Sequence, residues 1–224
     1  MDALPIAREP RFLGRTSLAV FPIAYGCWRL VGGDAAVARR RLEAALELGI
    51  ELLAVAGALA RLREAGKVRE VGVSNFTTAQ FAALRRFLPF PIATHQPELS
   101  CVAVGALADG LLDQCLAERV TPLAWSPLAG GRLGLTAAQA AAAGAAGARL
   151  AAVIRVLDAL AEREKLSRSA IALAWLLVHP AGVIPIVGTR SEERLRECVA
   201  ALDAKLTRDD WYAVWAAARG EPIP

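Results

Sequence analysis

Tyrosine, histidine and lysine are scarce in this chain: two, two and three residues among 224. These side chains do much of the proton transfer in enzymes, so the scarcity leaves few candidates for acid–base work. The four cysteines, Cys27, Cys101, Cys115 and Cys198, form no CxxC pair and have no metal-ligand spacing. That argues against a zinc site and a redox dithiol, and reads as reduced, buried thiols in a cytoplasmic protein. Long apolar runs are missing too. The longest, Ala170 to Val178, stops at His179-Pro180, far short of a membrane span. The opening MDALPIAREPRF has no signal-peptide core. The arginines form no basic stripe with interleaved aromatics. Arg39-Arg40-Arg41 and Arg85-Arg86 read as solvated helix faces. Neither a nucleic-acid nor a membrane partner is expected.

What is present is enough for a core: 55% of the residues are hydrophobic and 21% charged. From about Phe21, strand and helix patterns alternate. FPIAYGCW, GIELLAV, EVGVSNF, PIATHQPEL, TPLAWSPL and GVIPIVGT read as strands. Between them lie helical patterns such as AAVARRRLEAALEL, GALARLREAGK and QFAALRRFL. Thr77 and Gln80 form a capping box, with Phe76 and Phe81 placed as a hydrophobic staple. Thr207 to Asp210 caps a last helix, and Gly66 stands where a helix stops. The Ala/Gly-rich stretch Thr136 to Ala148 reads as a weakly ordered loop or a frayed helix start. Repeated strand–helix units with apolar strands imply a parallel sheet covered by helices. No GxGxxG follows the first strand, which leaves a Rossmann site unsupported and favours a barrel in one domain over residues 1–224.

GCWRL, GKVREVGVSNF, HQPELS, AWSPLAGGRL and IPIVGTRSEERL occur in that order. Together they resemble the aldo/keto reductase family, over nearly the whole chain. The resemblance implies an α/β fold of TIM type, a (β/α)₈ barrel with its site at the carboxyl ends of the strands. It also implies hydride transfer between NADP(H) and a small carbonyl substrate or alcohol. Residue by residue, Gly26, Cys27 and Trp28 match the segment along the cofactor. Ser74, Asn75 and Gln96 match the side chains that hold the nicotinamide carboxamide. Trp125 matches the aromatic that stacks on the nicotinamide ring. Ser126, Pro127, Leu128, Gly130, Gly131 and Arg132 match the pyrophosphate loop. Gly188, Thr189, Arg190, Ser191 and Arg194 resemble the 2′-phosphate site, and Glu197 the adenine contact, with Cys198 where many members carry Asn. Taken singly, each has an ordinary structural reading. In family order they favour a nicotinamide nucleotide as partner.

The family's reaction uses a Tyr, a Lys, an Asp and a His after the second, third and fourth strands. Here GIELLAV carries Ala54 near the place of the Asp and runs straight into the helix before the family's fifth strand. The missing segment, expected between about residues 54 and 56, is roughly a quarter of a barrel of about 250 residues. About six parallel strands then remain, in a barrel that closes incompletely. The link between GIELLAV and REVGVSNF leaves side-by-side pairing possible, or else an exposed edge that invites self-association. None of the remaining candidates is assigned a catalytic role. Tyr25 and Tyr212 read as packing residues and Lys67, Lys165 and Lys205 as solvated. His95 reads as a satisfied histidine behind the sheet and His179 as a cap. The expectation is an NADP(H)-binding protein with little or no reductase activity. The alternatives are a regulatory nucleotide binder, a scaffold, and a non-functional deletion product.

Overall fold

The computed structural model describes residues 3, 9–17, 19–20, 24–25, 51–189 and 191–223. Near the start, β1 (Arg11–Phe12) and β2 (Ala19–Val20) pair antiparallel. This hairpin went unread in the sequence because each strand is two residues long. Gly14 at its turn has a φ of +53°, donates its N–H to the Thr121 hydroxyl at 2.6 Å, and lies so close to the Ala93 carbonyl that a Cβ would reach 2.7 Å from its oxygen. β3 (Ala24–Tyr25) follows.

The next element corrects the sequence reading. GIELLAV is not a strand over its described part: Glu51–Glu64 forms one continuous helix, α1. Leu, Ala and Glu are good helix formers, and Ala56, Leu59 and Ala60 recur at helical spacing on its packed side. A short apolar run fits a buried helix as well as a strand. Helix α1 ends as expected at Gly66. The Lys67 N–H donates to the Leu62 carbonyl and the Gly66 N–H to that of Arg63, with Gly66 at φ +68°.

Beyond it come β4 (Gly72–Ser74), α2 (Thr78–Phe87), β5 (Thr94–Gln96), α3 (Leu111–Glu118) and β6 (Thr121–Ala124). The capping box is present: Thr77 Oγ accepts from the Gln80 N–H and Gln80 Oε1 from the Thr77 N–H. Phe76 and Phe81 are both buried beside it. After β6 a 3-10 turn (Ala129–Gly134) leads to α4 (Ala137–Ala141) and α5 (Gly144–Glu164). The stretch expected to be loose is therefore two helices. Thr136 and Gln139 form a second capping box, and the alanines propagate the helix. Gly147 permits the sharp bend between α4 and α5, since a Cβ there would lie 2.1 Å from the Ala140 carbonyl oxygen. The chain continues through α6 (Arg168–Leu177), β7 (Ile184–Val187), α7 (Glu192–Val199) and α8 (Arg208–Arg219).

Strands β4, β5, β6 and β7 are parallel neighbours in chain order, and β3 joins the far side of β7. A doubly wound sheet reverses its strand order part-way. Here the order of the described strands follows the chain and returns from the last to the first, as around a barrel, with no strand among the described residues between β3 and β4. Five parallel strands are described rather than six, because the sixth is α1. β4 ends the described sheet with β5 as its neighbour, so the pairing of GIELLAV with REVGVSNF does not form.

Helices α5, α6 and α8 build the largest part of the core. Every residue of α6 from Ala170 to Leu177 is buried, beside Ile154 and Leu157 of α5 and Val214 of α8. At the rim Arg163 grips Asp210 with two bonds of 2.8 and 2.7 Å, and Asp210 also caps α8 through Thr207. Burial pushes the Asp210 carboxyl up, but the bonds from Arg163 and Thr207 outweigh it and hold its pKa at about 2, below the ordinary 3.8. A depressed carboxylate stabilises the fold above its unfolded pKa and loses that contribution as pH falls through the folded one. The half-exposed arginine reduces the effect to about 1–2 kcal/mol. Urea unfolding should show Asp210→Asn less stable than the parent by this amount at pH 6, with the gap closing between pH 4 and 2. A gap constant across that range would disprove the assignment.

Candidate functional site

The carboxyl ends of β4, β5 and β6 bring four of the expected residues together. Side chains alternate across the sheet. Val73 and His95 turn back and are buried, while Ser74 and Gln96 turn to the opposite, more open face. Ser74 and Gln96 are register partners, and the Gln96 carbonyl accepts from both the Ser74 hydroxyl (3.0 Å) and the Asn75 N–H (3.1 Å). Ser74 Oγ also stands 3.5 Å from Gln96 Oε1. From the end of β6, the Trp125 indole N–H donates to Asn75 Oδ1 at 2.8 Å. An indole can only donate, so this bond fixes which end of the Asn75 amide is oxygen and turns its NH₂ group elsewhere. Trp125 is held in turn by its own backbone, with its N–H on Pro97 and its carbonyl accepting from Leu99.

Three non-glycine residues here have left-handed backbone: Asn75 (φ 55°), Ser126 (φ 50°) and Ala129 (φ 53°). Such residues concentrate where a chain must present groups at a fixed angle. Ser126, Pro127 and Leu128 connect β6 to the 3-10 turn that contains Gly130, Gly131 and Arg132. Gly130 and Gly131 continue the positive φ values, at 64° and 91°. Arg132 donates Nε–H to the Ala129 carbonyl at 3.1 Å. Consecutive residues of this kind recur in anion-binding turns, while here the Ala129 and Gly131 N–H groups donate to the Ser126 and Leu128 carbonyls.

Gly188 and Thr189 follow β7, and Ser191 caps α7 by accepting from the Arg194 N–H at 3.3 Å. Thr189 Oγ accepts from the Ser191 N–H. Arg194 is exposed and Glu197 half-buried on the same helix. Glu192 in its first turn is paired with Arg196, which tempers the negative charge at this helix start. Gly26, Cys27, Trp28 and Arg190 lie outside the described residues.

The lysines, Tyr212 and the two histidines have other surroundings. Lys67, Lys165 and Lys205 are exposed. Tyr212 packs among Trp211 and Trp215, and His179 Nδ1 accepts from the Ala181 N–H, capping the turn after α6. His95 differs from expectation in one respect. It is fully buried behind the sheet and stacked on Phe81, yet neither ring nitrogen makes a well-formed hydrogen bond. Burial lowers its pKa, with Phe76 backbone and Asp109 acting weakly the other way. A cleft of about 650 Å³ lined by Arg63, Arg69, Glu70 and Phe90 opens at the amino ends of β4 and β5, opposite the cluster.

The sequence profile of the aldo/keto reductase family matches residues 50–219. The chain belongs to the aldo/keto reductase family. A 6-dehydroglucose reductase of Novosphingobium aromaticivorans is 33% identical over 313 aligned positions that take in both chains end to end. Oxidoreductase YdhF of Escherichia coli is 41% identical over 170 residues, 76% of this chain and 54% of that one. A 6-dehydroglucose reductase of Agrobacterium fabrum is 36% identical over 166 residues, 74% and 52% of the two chains. The end-to-end match apart, the chain spans about half the length of these relatives. A crystal structure of a thermostable aldo-keto reductase with the inhibitor epalrestat superposes with a TM-score of 0.63 at 27% identity, over 75% of this chain and 56% of that one. The TIM-type fold of the aldo/keto reductases is thus the architecture to which the five described parallel strands belong. Among the described residues no helix is long and apolar enough to cross a membrane.

One residue in this neighbourhood was not foreseen. Arg168, at the start of α6, donates to the carbonyls of both Leu133 and Leu135, at 2.7 Å each, at the end of the glycine turn. Nothing in the sequence marks it, because its partners lie 33 and 35 residues away.

Proposed function

We propose that this chain is a single-domain, NADP(H)-binding aldo/keto reductase whose barrel lacks the segment that carries the family's proton donor, and that it reduces carbonyls weakly or not at all. The observation that carries the reading is the hydrogen-bonded set Ser74, Asn75, Gln96 and Trp125 at three adjacent strand ends. A carboxamide needs both a donor and an acceptor. The Asn75 NH₂ group provides the first, and the Ser74 hydroxyl and Gln96 amide oxygen the second. Trp125 offers an aromatic face beside them. Gly130, Gly131 and Arg132 would meet the pyrophosphate, and Thr189, Ser191 and Arg194 the 2′-phosphate. When bound, the reduced cofactor supplies the hydride.

Three observations favour a missing segment. Among the described residues, the strand order is that of a barrel with no strand between β3 and β4. The end-to-end alignment covers 313 positions, which 224 residues cannot fill without gaps. The family profile begins to match at residue 50, beside the junction read from the sequence. Loss of general-acid help alone lowers rates by about 10²–10⁴-fold. Titration with NADPH should quench tryptophan fluorescence saturably below millimolar concentration. Turnover of 4-nitrobenzaldehyde with NADPH should fall at least about a hundredfold below that of YdhF measured alongside. Comparable turnover would overturn the impaired-reductase reading, and absence of quenching would overturn the cofactor reading.

A further inference from the structure

We infer that Arg168 is a positioning residue for the phosphate-binding turn, acting from outside the ligand-contacting set; this rests on the cofactor reading above. The turn Ala129–Gly134 carries left-handed backbone at Ala129, Gly130 and Gly131. Ala129 in that conformation is strained by about 1–2 kcal/mol, and such strain persists only where surroundings hold it. Inside the turn the ties are short-range: Arg132 Nε–H to the Ala129 carbonyl, and backbone bonds among Ser126, Ala129, Leu128 and Gly131. Ala129 and Leu133 are anchored in the core, and among the described residues one side chain adds long-range hydrogen bonds to the turn. The Arg168 Nη1 group donates to both the Leu133 and Leu135 carbonyls, while Nε and Nη2 donate to the two carboxylate oxygens of Asp158 at 2.5 and 2.9 Å.

The geometry has a consequence for an anion. A guanidinium directs its donors in a fixed fork, so fixing one side on Asp158 aims the other side. Asp158 sits on α5 and Arg168 on α6, two helices packed in the main core. The turn is therefore tied at its exit to the most fully buried part of the described core. Its carbonyls at that exit are engaged by a cation, which reduces negative potential near the turn. Lysine in the same place would present one compact charge and could not span two carbonyls and a carboxylate together.

The test compares two ligands on the whole chain. NADPH reaches the turn through its pyrophosphate, whereas reduced nicotinamide riboside carries the nicotinamide end without any phosphate. Arg168→Met keeps the aliphatic stem and removes the donors. It should weaken NADPH binding about tenfold, the loss of one charged hydrogen-bonded contact, and leave riboside binding within twofold. Backbone amides of residues 129–135 should exchange with solvent faster, while those of α2 stay unchanged. Arg168→Lys should show the same selectivity at smaller size, and it decides the matter should the Met variant fail to fold. Equal weakening of both ligands would mean a merely structural role and overturn the inference. Unchanged NADPH affinity would overturn it too. If the parent chain binds no NADPH, the cofactor reading falls, and this inference falls with it.

Discussion

Trp175→Ala should destabilise the fold by about 3–5 kcal/mol, the range for emptying a large aromatic site in a core. Trp175 is 1% exposed in the middle of α6 and stacks on Trp211 of α8, with ring centroids 5.2 Å apart and planes at 11°. Each indole N–H donates to the other residue's backbone carbonyl, at 2.9 Å from Trp175 and 3.1 Å from Trp211. The pair thus combines apolar burial with two exchanged hydrogen bonds that join two helices. Removing the ring leaves a cavity that neighbours cannot fill, because α6 is buried all round. It also leaves the Trp211 carbonyl without its partner. Trp175→Phe separates the two effects. It keeps most of the ring and the bond onto the residue 175 carbonyl, so its cost should be about 1–3 kcal/mol, the value for one lost hydrogen bond plus lost area. Urea unfolding followed by circular dichroism measures both. A cost below about 1 kcal/mol for the alanine variant would show that α8 repacks and that the exchange of bonds contributes little.

How far the sequence carried the reading depends on whether a feature is local. The Thr77–Gln80 box and the stop at Gly66 were legible because all their partners lie within a few residues. The order of motifs carried the family, and it correctly put Ser74, Asn75, Gln96 and Trp125 at strand ends. Alternation also placed His95 behind the sheet, but its lack of a hydrogen-bond partner depends on what α2 offers, which no local pattern records. GIELLAV failed as a strand because seven residues cannot distinguish a period of two from a buried helical run, and the packing of Ala56, Leu59 and Ala60 decided it. The Thr136–Ala148 stretch failed for the opposite reason. Its alanines were discounted for chemical blandness, although Ala is the strongest helix former. The bond from Trp125 to Asn75 joins residues 50 apart, and the Arg168 clamp reaches 33 and 35 back. Both had to wait for the fold.

Asn75 is where backbone, side chain and proposed ligand meet, and a pair of substitutions separates them. Asn75→Ala removes the acceptor of the Trp125 indole bond and the NH₂ donor proposed to meet a carboxamide, and it places alanine at φ 55°, a conformation asparagine tolerates better. Asn75→Gly removes the same side chain but relieves the backbone. The two should therefore differ in stability, with the glycine variant more stable by about 1 kcal/mol. They should agree in binding: each should weaken NADPH by about tenfold to a hundredfold, the cost of a lost hydrogen bond plus a loosened Trp125. Both should also change the fluorescence of the free protein, since an indole released from a 2.8 Å bond enters a different polar environment. Calorimetric titration gives affinity independently of that signal. If the glycine variant binds NADPH as the parent does, Asn75 serves the turn after β4 and not the nicotinamide. If it binds weakly while folding well, the strand-end amide is the ligand contact.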